Sequence, residues 1–189
     1  LQHCFGRPNA GGPATALGRL LGASQRQYPT VWQHRAAGAI SPSLLRELAG
    51  EIRRHRPRLI HVRGLGNEGF HAALAARIAG VPKILVSVHG THRDLVAPPS
   101  PLRTAVVSRV LEPATLYMAD AIVTVCESAA RRSFLDPHRS KLLPPVGNGV
   151  VLPDLSAVIR EDVRAGLGIA SDRLVGVTVG RLTREKGIG

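Results

Sequence analysis

Aromatic side chains are scarce in this chain. Only 3% of its 189 residues are Phe, Trp or Tyr, so the core has to be built from Leu, Val, Ile and Ala. The same scarcity argues against a single-strand nucleic-acid binder, which needs aromatic platforms for stacked bases. Cysteine is nearly absent. Cys4 and Cys126 stand far apart, form no CxxC, and read as reduced thiols of a cytosolic protein. Acids are short too: 13 Asp and Glu face 25 Lys and Arg, for a net charge of +12. That excess points to a polyanionic partner, which could be nucleic acid, an anionic membrane face or a phosphate-bearing substrate. The arginines are spread along the chain and form no basic arm. No apolar run approaches the roughly 20 residues of a membrane span. No signal peptide is visible. The opening "LQHCFG" reads as the tail of a strand, so the natural N-terminus is expected further upstream.

Against these absences stands an apolar content of 44% with 20% charged residues, enough for a packed core and too apolar for disorder. Four short, β-branched runs read as buried parallel strands: "LIHV" (59–62), "KILVSV" (83–88), "AIVTVC" (121–126) and "LVGVTV" (174–179). Helical patterns alternate with them. In "SPSLLRELAGEIRRHRP", Ser41 is a cap and Pro42 opens the first turn. Leu44, Leu45, Leu48 and Ile52 share a face, and Pro57 is a stop. "GFHAALAARIAGVP" is Ala- and Leu-rich and ends at Gly80 and Pro82. Pro113 is expected to kink or split the longer helix in "SPLRTAVVSRVLEPATLYMAD". The alternation predicts a right-handed, doubly wound, Rossmann-like α/β sheet. A Pro- and Gly-rich stretch, "PPVGNGVVLPDL" (144–155), marks a boundary. Residues 1–148 read as one domain, and 149–189 as a linker and the first strand and turn of a second.

"RGLGNEG" (63–69) holds Gly64, Gly66 and Gly69 in the GxGxxG spacing, after a strand and before a helix. A dinucleotide site also needs an acid at the end of the next strand. That strand ends at His89, and the nearest acid, Asp94, lies beyond a loop. The match also falls on a later strand, not on the first strand-to-helix turn. A glycine-rich turn that caps a helix is the preferred reading, with nicotinamide binding kept as the alternative. His89, His92 and Asp94 also spell a metal cluster, against which stand the lack of further ligand-spaced residues and their place in a loop.

Four other segments stand in a telling order: "PNAGGPATALGRLL" (8–21), "LVSVHGTHRDL" (85–95), "ADAIVTVCESAARR" (119–132) running to "KLLPPVGNGVVLPDL" (141–155), and "LVGVTVGRLTREKGIG" (174–189). Their order and spacing resemble the retaining, GT-B-fold glycosyltransferases of family four. There a GG loop follows the first strand and an HG pair ends a middle strand. An AD-strand-SE segment precedes a K-apolar-NGV junction, and a GR-x4-KG turn opens the donor domain. The resemblance spans nearly the whole chain. Cys126 departs from it where a serine is usual, and so does Pro144-Pro145-Val146-Gly147 before Asn148.

The resemblance implies transfer of a sugar from a nucleotide diphosphate to an acceptor hydroxyl, with retention, no cofactor and no obligate metal. Gly11 and Gly12 would let backbone approach a ligand at a helix N-terminus. His89, at the carboxyl end of a strand, would donate a hydrogen bond to a sugar hydroxyl or phosphate oxygen. Arg181 and Lys186 leave one turn and would together stabilise the leaving diphosphate. The expected partners are a nucleotide sugar and an acceptor that could be a sugar, a lipid or a small molecule, with no nucleic acid. The basic, amphipathic stretch 41–56 adds a peripheral contact with an anionic membrane face, on a cytoplasmic protein. A nucleotide-sugar 2-epimerase and a non-catalytic basic binding module are the alternatives. The distal acidic pair of the family would lie past Gly189. The chain therefore reads as a fragment cut at both ends, one that by itself turns nothing over.

Overall fold

The computed structural model describes residues 1–6, 12–24, 28–36, 38–94, 100–149 and 159–180. Two compact units divide it, Leu1–Gly149 and Val150–Gly189. In the first, the strands are β1 (Gln2–Phe5), β2 (Thr30–Gln33), β3 (Leu59–Arg63), β4 (Lys83–Val88) and β5 (Ala121–Thr124). They form one all-parallel sheet in the order β2-β1-β3-β4-β5. Three of the expected runs are strands within a residue or two of their expected bounds. The four-residue β2 was not foreseen, because "TVWQ" is too short to show a period.

The helices of this unit are α1 (Gly12–Ala23), α2 (Pro42–His55), α3 (Gly66–Ile78), α4 (Pro101–Val106), α5 (Glu112–Met118) and α6 (Glu127–Ala130). Ser41 caps α2 as expected, its side chain accepting from the Leu44 N–H, and Pro42 sits in the first turn. The helix stops at Arg56, which takes the left-handed conformation at φ 43°. Pro113 does not split the helix as expected: the residues on either side of a π-helical segment, Val107–Leu111, keep helical φ/ψ. Lacking an N–H, Pro113 cannot bond the carbonyl four residues back. The chain answers with that segment, between α4 and α5, in which the Glu112 N–H reaches the Val107 carbonyl. Such a bulge takes up the mismatch without ending the helical path.

Alternate strand residues sort onto two faces. Ile60, Val62, Ile84, Val86, Val88 and Ile122 point to the face where α2, α3 and α5 pack, and with Leu44, Leu48 and Ile52 they form the main core. On the opposite face Cys4 packs with Ala14 and Leu17 of α1, flanked by Leu21 and Trp32. The chain winds outward from β1 to β2 on one side and through β3, β4 and β5 on the other. β1 and β3 therefore flank the point where winding reverses, the place where open α/β sheets form a ligand crevice.

Two tertiary ties hold the strand ends in register. The Asp120 carboxylate accepts from the Ile84 N–H at 2.8 Å and from Arg77 Nη2 at 2.9 Å. Partial desolvation opposes its ionisation. The Ile84 hydrogen bond and the charges of Arg77 and Lys83 outweigh that, so its pKa lies below the ordinary value. His71 does the same for helices: its Nε2 accepts from the Ser41 N–H at 3.0 Å, while Nδ1 lies 2.8 Å from the Asn67 carbonyl.

In the second unit, α7 (Arg160–Gly166) is a short helix with Glu161 and Asp162 in its first turn. The expected strand at 174–179 is not formed. Residues 173–179 have no regular structure, and Leu174, Val177 and Val179 are exposed. The sequence pattern is right for a strand, but a parallel strand exists only through a neighbour that takes its N–H and C=O groups. Among the described residues, none pairs with it.

His3 gives this fold a pH signature. It is fully buried, with Nε2 3.1 Å from Gln33 Oε1, and burial pushes its pKa down from 6.5 to about 4 against the smaller opposing effect of that bond. The folded state thus holds His3 neutral, while the unfolded chain takes up a proton below its ordinary value. Stability is complete above about pH 6.5 and is lost progressively as pH falls toward 4, by at most about 1.4 kcal/mol per pH unit for one proton. Urea midpoints at pH 7.5 and pH 5 check this. The midpoint should fall at pH 5, and the drop should shrink in His3→Gln.

Candidate functional site

A covered parallel strand should be apolar on both faces. β3 and β4 break that rule on one face only. His61 and Arg63 on β3, with Ser87 on β4 and His89 just beyond it, sit at alternate positions, and the register sets Arg63 beside Ser87. All four line a cavity of about 500 Å³, on the face where α1 packs. Ala16 and Leu20 of α1 form one side of it. Another side comes from residues 143–149. That segment runs along β5 despite its prolines: the Leu143 and Val146 N–H groups donate to the Ile122 and Thr124 carbonyls, both at 2.8 Å. Pro144 and Pro145 occupy the positions between them, where no N–H is used. Donors three residues apart thus meet carbonyls two apart, so the departure at 144–147 inserts one residue while keeping two hydrogen bonds to β5. At the other departure, Cys126 is the N-cap of α6, with its Sγ 3.1 Å from the Ser128 hydroxyl.

The polar wall is basic. His61 Nε2 and Ser87 Oγ share a hydrogen bond. Burial, then the charges of Arg63 and His89, push the His61 pKa down to about 4. Burial and Arg63 lower that of His89 as well. Arg63 is itself half-buried, with its pKa lowered by desolvation. Its Nε and the Nε2 of His89 are buried without a hydrogen-bond partner. No carboxylate pairs with Arg63 among the described residues. Two histidines are thus held neutral around one guanidinium, and two nitrogens beside an open cavity lack partners.

Arg63 also lines a second cavity, of about 340 Å³, beside Cys4, Gly64, Gly66, Glu68 and His92. It lies at the crevice between β1 and β3. Here the GxGxxG spacing finds its cause. Gly64 and Gly66 have φ of 92° and 57° and turn the chain from β3 into α3. A Cβ on Gly69 would stand 2.3 Å from the Gly64 carbonyl oxygen, and one on Gly66 would stand 3.2 Å from the His92 ring. The three glycines serve a tight turn with a histidine laid against it. That histidine is anchored from behind. Glu112, fully buried, accepts from the His92 N–H at 2.8 Å and lies 3.7 Å from His92 Nδ1. Glu112 is in turn paired with Arg93, whose guanidinium also donates to the Ser108 carbonyl and lies over the Phe134 ring.

Segments far apart in the chain thus converge. The helix after the GG pair, the HG strand end and the NG junction all border one cavity at the carboxyl edge of a parallel sheet. A glycosyl transferase 4-like domain matches residues 3–145. The chain belongs to that family. No curated protein matches it. A Rossmann-like parallel sheet flanked by helices, and a glycosyltransferase-type function, go with that membership.

Of the site residues expected from sequence, His89 lines the cavity, and Gly12 is the first residue of α1, with open space where a Cβ would stand. Gly11, Arg181 and Lys186 lie outside the described residues. Among the described residues, no group of three or more His, Cys, Asp or Glu is placed to hold a metal. None of their helices is long and apolar enough to cross a membrane. His61, Arg63 and Ser87 were missed. The signal was present as polar residues at every second position of two strands that otherwise read as core.

The glycine geometry separates two substitutions. Gly66→Ala places a left-handed residue 3.2 Å from a side-chain ring, and should cost roughly 1–2 kcal/mol. Gly69→Ala drives a methyl into backbone and should cost more, at or beyond the roughly 1–3 kcal/mol of an overpacked core. Urea unfolding of both variants checks the order. Titrations of the parent with NAD and NADP should stay flat. Saturable binding abolished by Gly66→Ala would restore the dinucleotide reading.

Proposed function

We propose that this chain forms the acceptor side, and begins the donor side, of an enzyme that moves a sugar from a nucleotide diphosphate to an acceptor hydroxyl with retention of configuration. The observation that carries the reading is the convergence of three family segments on one cavity in a glycosyl transferase 4-like chain. The acceptor lies in the cavity walled by α1, β3, β4 and residues 143–149. His89, neutral at physiological pH, offers a ring N–H to a sugar hydroxyl or phosphate oxygen. Gly12 leaves the start of α1 open to a ligand's approach.

Arg181 and Lys186 act on the donor. As the glycosidic bond breaks, negative charge gathers on the departing diphosphate, and two cations fixed near it stabilise that state more than the bound substrate. Removing one such contact in other enzymes costs roughly 2.7–4 kcal/mol of barrier. No metal or cofactor is required in this scheme, because the two side chains supply the charge.

Titration of the full-length protein with UDP-, GDP- and ADP-linked hexoses tests the reading. One of them should bind saturably and be displaced by its nucleoside diphosphate. Arg181→Ala with Lys186→Ala should weaken that binding by tenfold or more, since charge-assisted hydrogen bonds contribute roughly 1.5–3 kcal/mol each. Turnover, followed as release of nucleoside diphosphate, should fall further than binding. Absence of binding by every donor, or wild-type turnover in the double variant, overturns the assignment.

A further inference from the structure

The cavity beneath β3, β4 and β5 holds more positive charge than a sugar hydroxyl needs. Arg63 is half-buried there with no carboxylate partner among the described residues, and its Nε is unpaired. His89 Nε2, at the end of the neighbouring strand, is also buried and unpaired. His61 and Ser87, bonded to one another, complete the wall. Buried polar atoms such as these two nitrogens are normally satisfied, and a half-buried cation without a counter-charge carries part of a buried ion's desolvation penalty. A ligand that brings oxyanion lone pairs to Arg63 and His89 removes both deficits. Away from these groups the lining is mostly aliphatic, with Leu20, Leu85, Val123, Leu143 and Val146, and Thr124 and Asn148 add polar atoms to it. A cavity of about 500 Å³ leaves room for an apolar body beside an anionic head.

We propose that this cavity is the binding site for an amphipathic oxyanion: a phosphate or carboxylate held by Arg63 and His89, joined to an aliphatic body lying on Leu85, Val123 and Leu20. On the transferase reading of the preceding section, that ligand is the acceptor, and the proposal names its chemical class. A nucleotide sugar fits the cavity poorly, because its ribose and sugar hydroxyls would be set against aliphatic side chains. A bare anion fits poorly too, because it would leave the apolar walls uncovered. Guanidinium geometry favours a planar or tetrahedral oxyanion held by two parallel bonds.

Calorimetric titration with n-octyl phosphate, below its micelle concentration, tests this. Inorganic phosphate and n-octyl glucoside are the controls for head and tail, and n-octanoate tells a carboxylate from a phosphate. Octyl phosphate or octanoate should bind at least tenfold tighter than either control. Arg63→Gln and His89→Gln should each weaken that ligand by about tenfold while octyl glucoside is unaffected, and Arg63→Lys should retain part of the affinity. Thermal melts confirm that each variant folds. If Arg63→Gln does not, His89→Gln carries the test. Equal affinity for octyl phosphate, octanoate and octyl glucoside overturns the proposal, as does unchanged affinity in both variants. Displacement of the octyl ligand by UDP or GDP would assign the cavity to the donor diphosphate and overturn it as well. Loss of the amphiphile site with nucleotide-sugar binding intact leaves the transferase reading standing, so the two can fail separately.

Discussion

A parallel strand cannot stand alone. Its N–H and C=O groups need neighbours on both sides, and both of its faces need cover. Most of this structure follows from meeting that demand on one face and relaxing it on the other. The face toward α2, α3 and α5 is sealed by aliphatic side chains, from Leu44 and Ile52 through Ile60, Val86 and Ile122. The other face is sealed over β1 by α1, through Cys4, Ala14 and Leu17. Over β3, β4 and β5 the described residues leave it open. There the alternating pattern switches from aliphatic to His, Arg and Ser, and a cavity takes the place of a helix. The same demand explains residues 174–179, which carry a strand's pattern but no partner among the described residues to complete it.

The carboxyl edge of the sheet is stiffened by ties between side chains and backbone. Glu112 is buried completely, yet its carboxylate is satisfied by the His92 N–H and the Arg93 guanidinium. A buried charge of this kind is tolerable only when its geometry is complete, and breaking one partner costs far more than the pair contributes. The clamp holds the turn after β4, and His92 with it, against the glycine turn after β3. Two loops from neighbouring strands thus form one wall. Asp120 performs a similar service at the opposite ends of β4 and β5.

Much of this was legible in the residues. The α/β alternation, the cap and stop of α2, the π-helical segment before Pro113 and the strands β3, β4 and β5 are local matters, decided by side-chain shape, periodicity and the missing proline N–H. The ordered set of short segments also pointed to the family, and two of them, the HG pair after β4 and the Cys126–Glu127 turn after β5, sit at strand ends where the backbone must turn. The GxGxxG match shows the limit of such reading. Its spacing is that of a nucleotide loop, but spacing does not say what stands opposite a glycine. Gly69 faces the Gly64 carbonyl, and Gly66 faces the His92 ring.

By itself, then, the sequence determined the fold class, the positions of the main helices and strands, and the placing of His89 at a strand's carboxyl end. Only the tertiary structure decided that His61, Arg63, Ser87 and His89 form one basic wall. It also decided that α1 and residues 143–149 close a cavity around that wall, and that Glu112 anchors His92 from twenty residues away. The reason is physical. Secondary structure is chosen by interactions within a few residues of one another. Charge, burial and the want of a hydrogen-bond partner depend on which distant strand the register brings alongside.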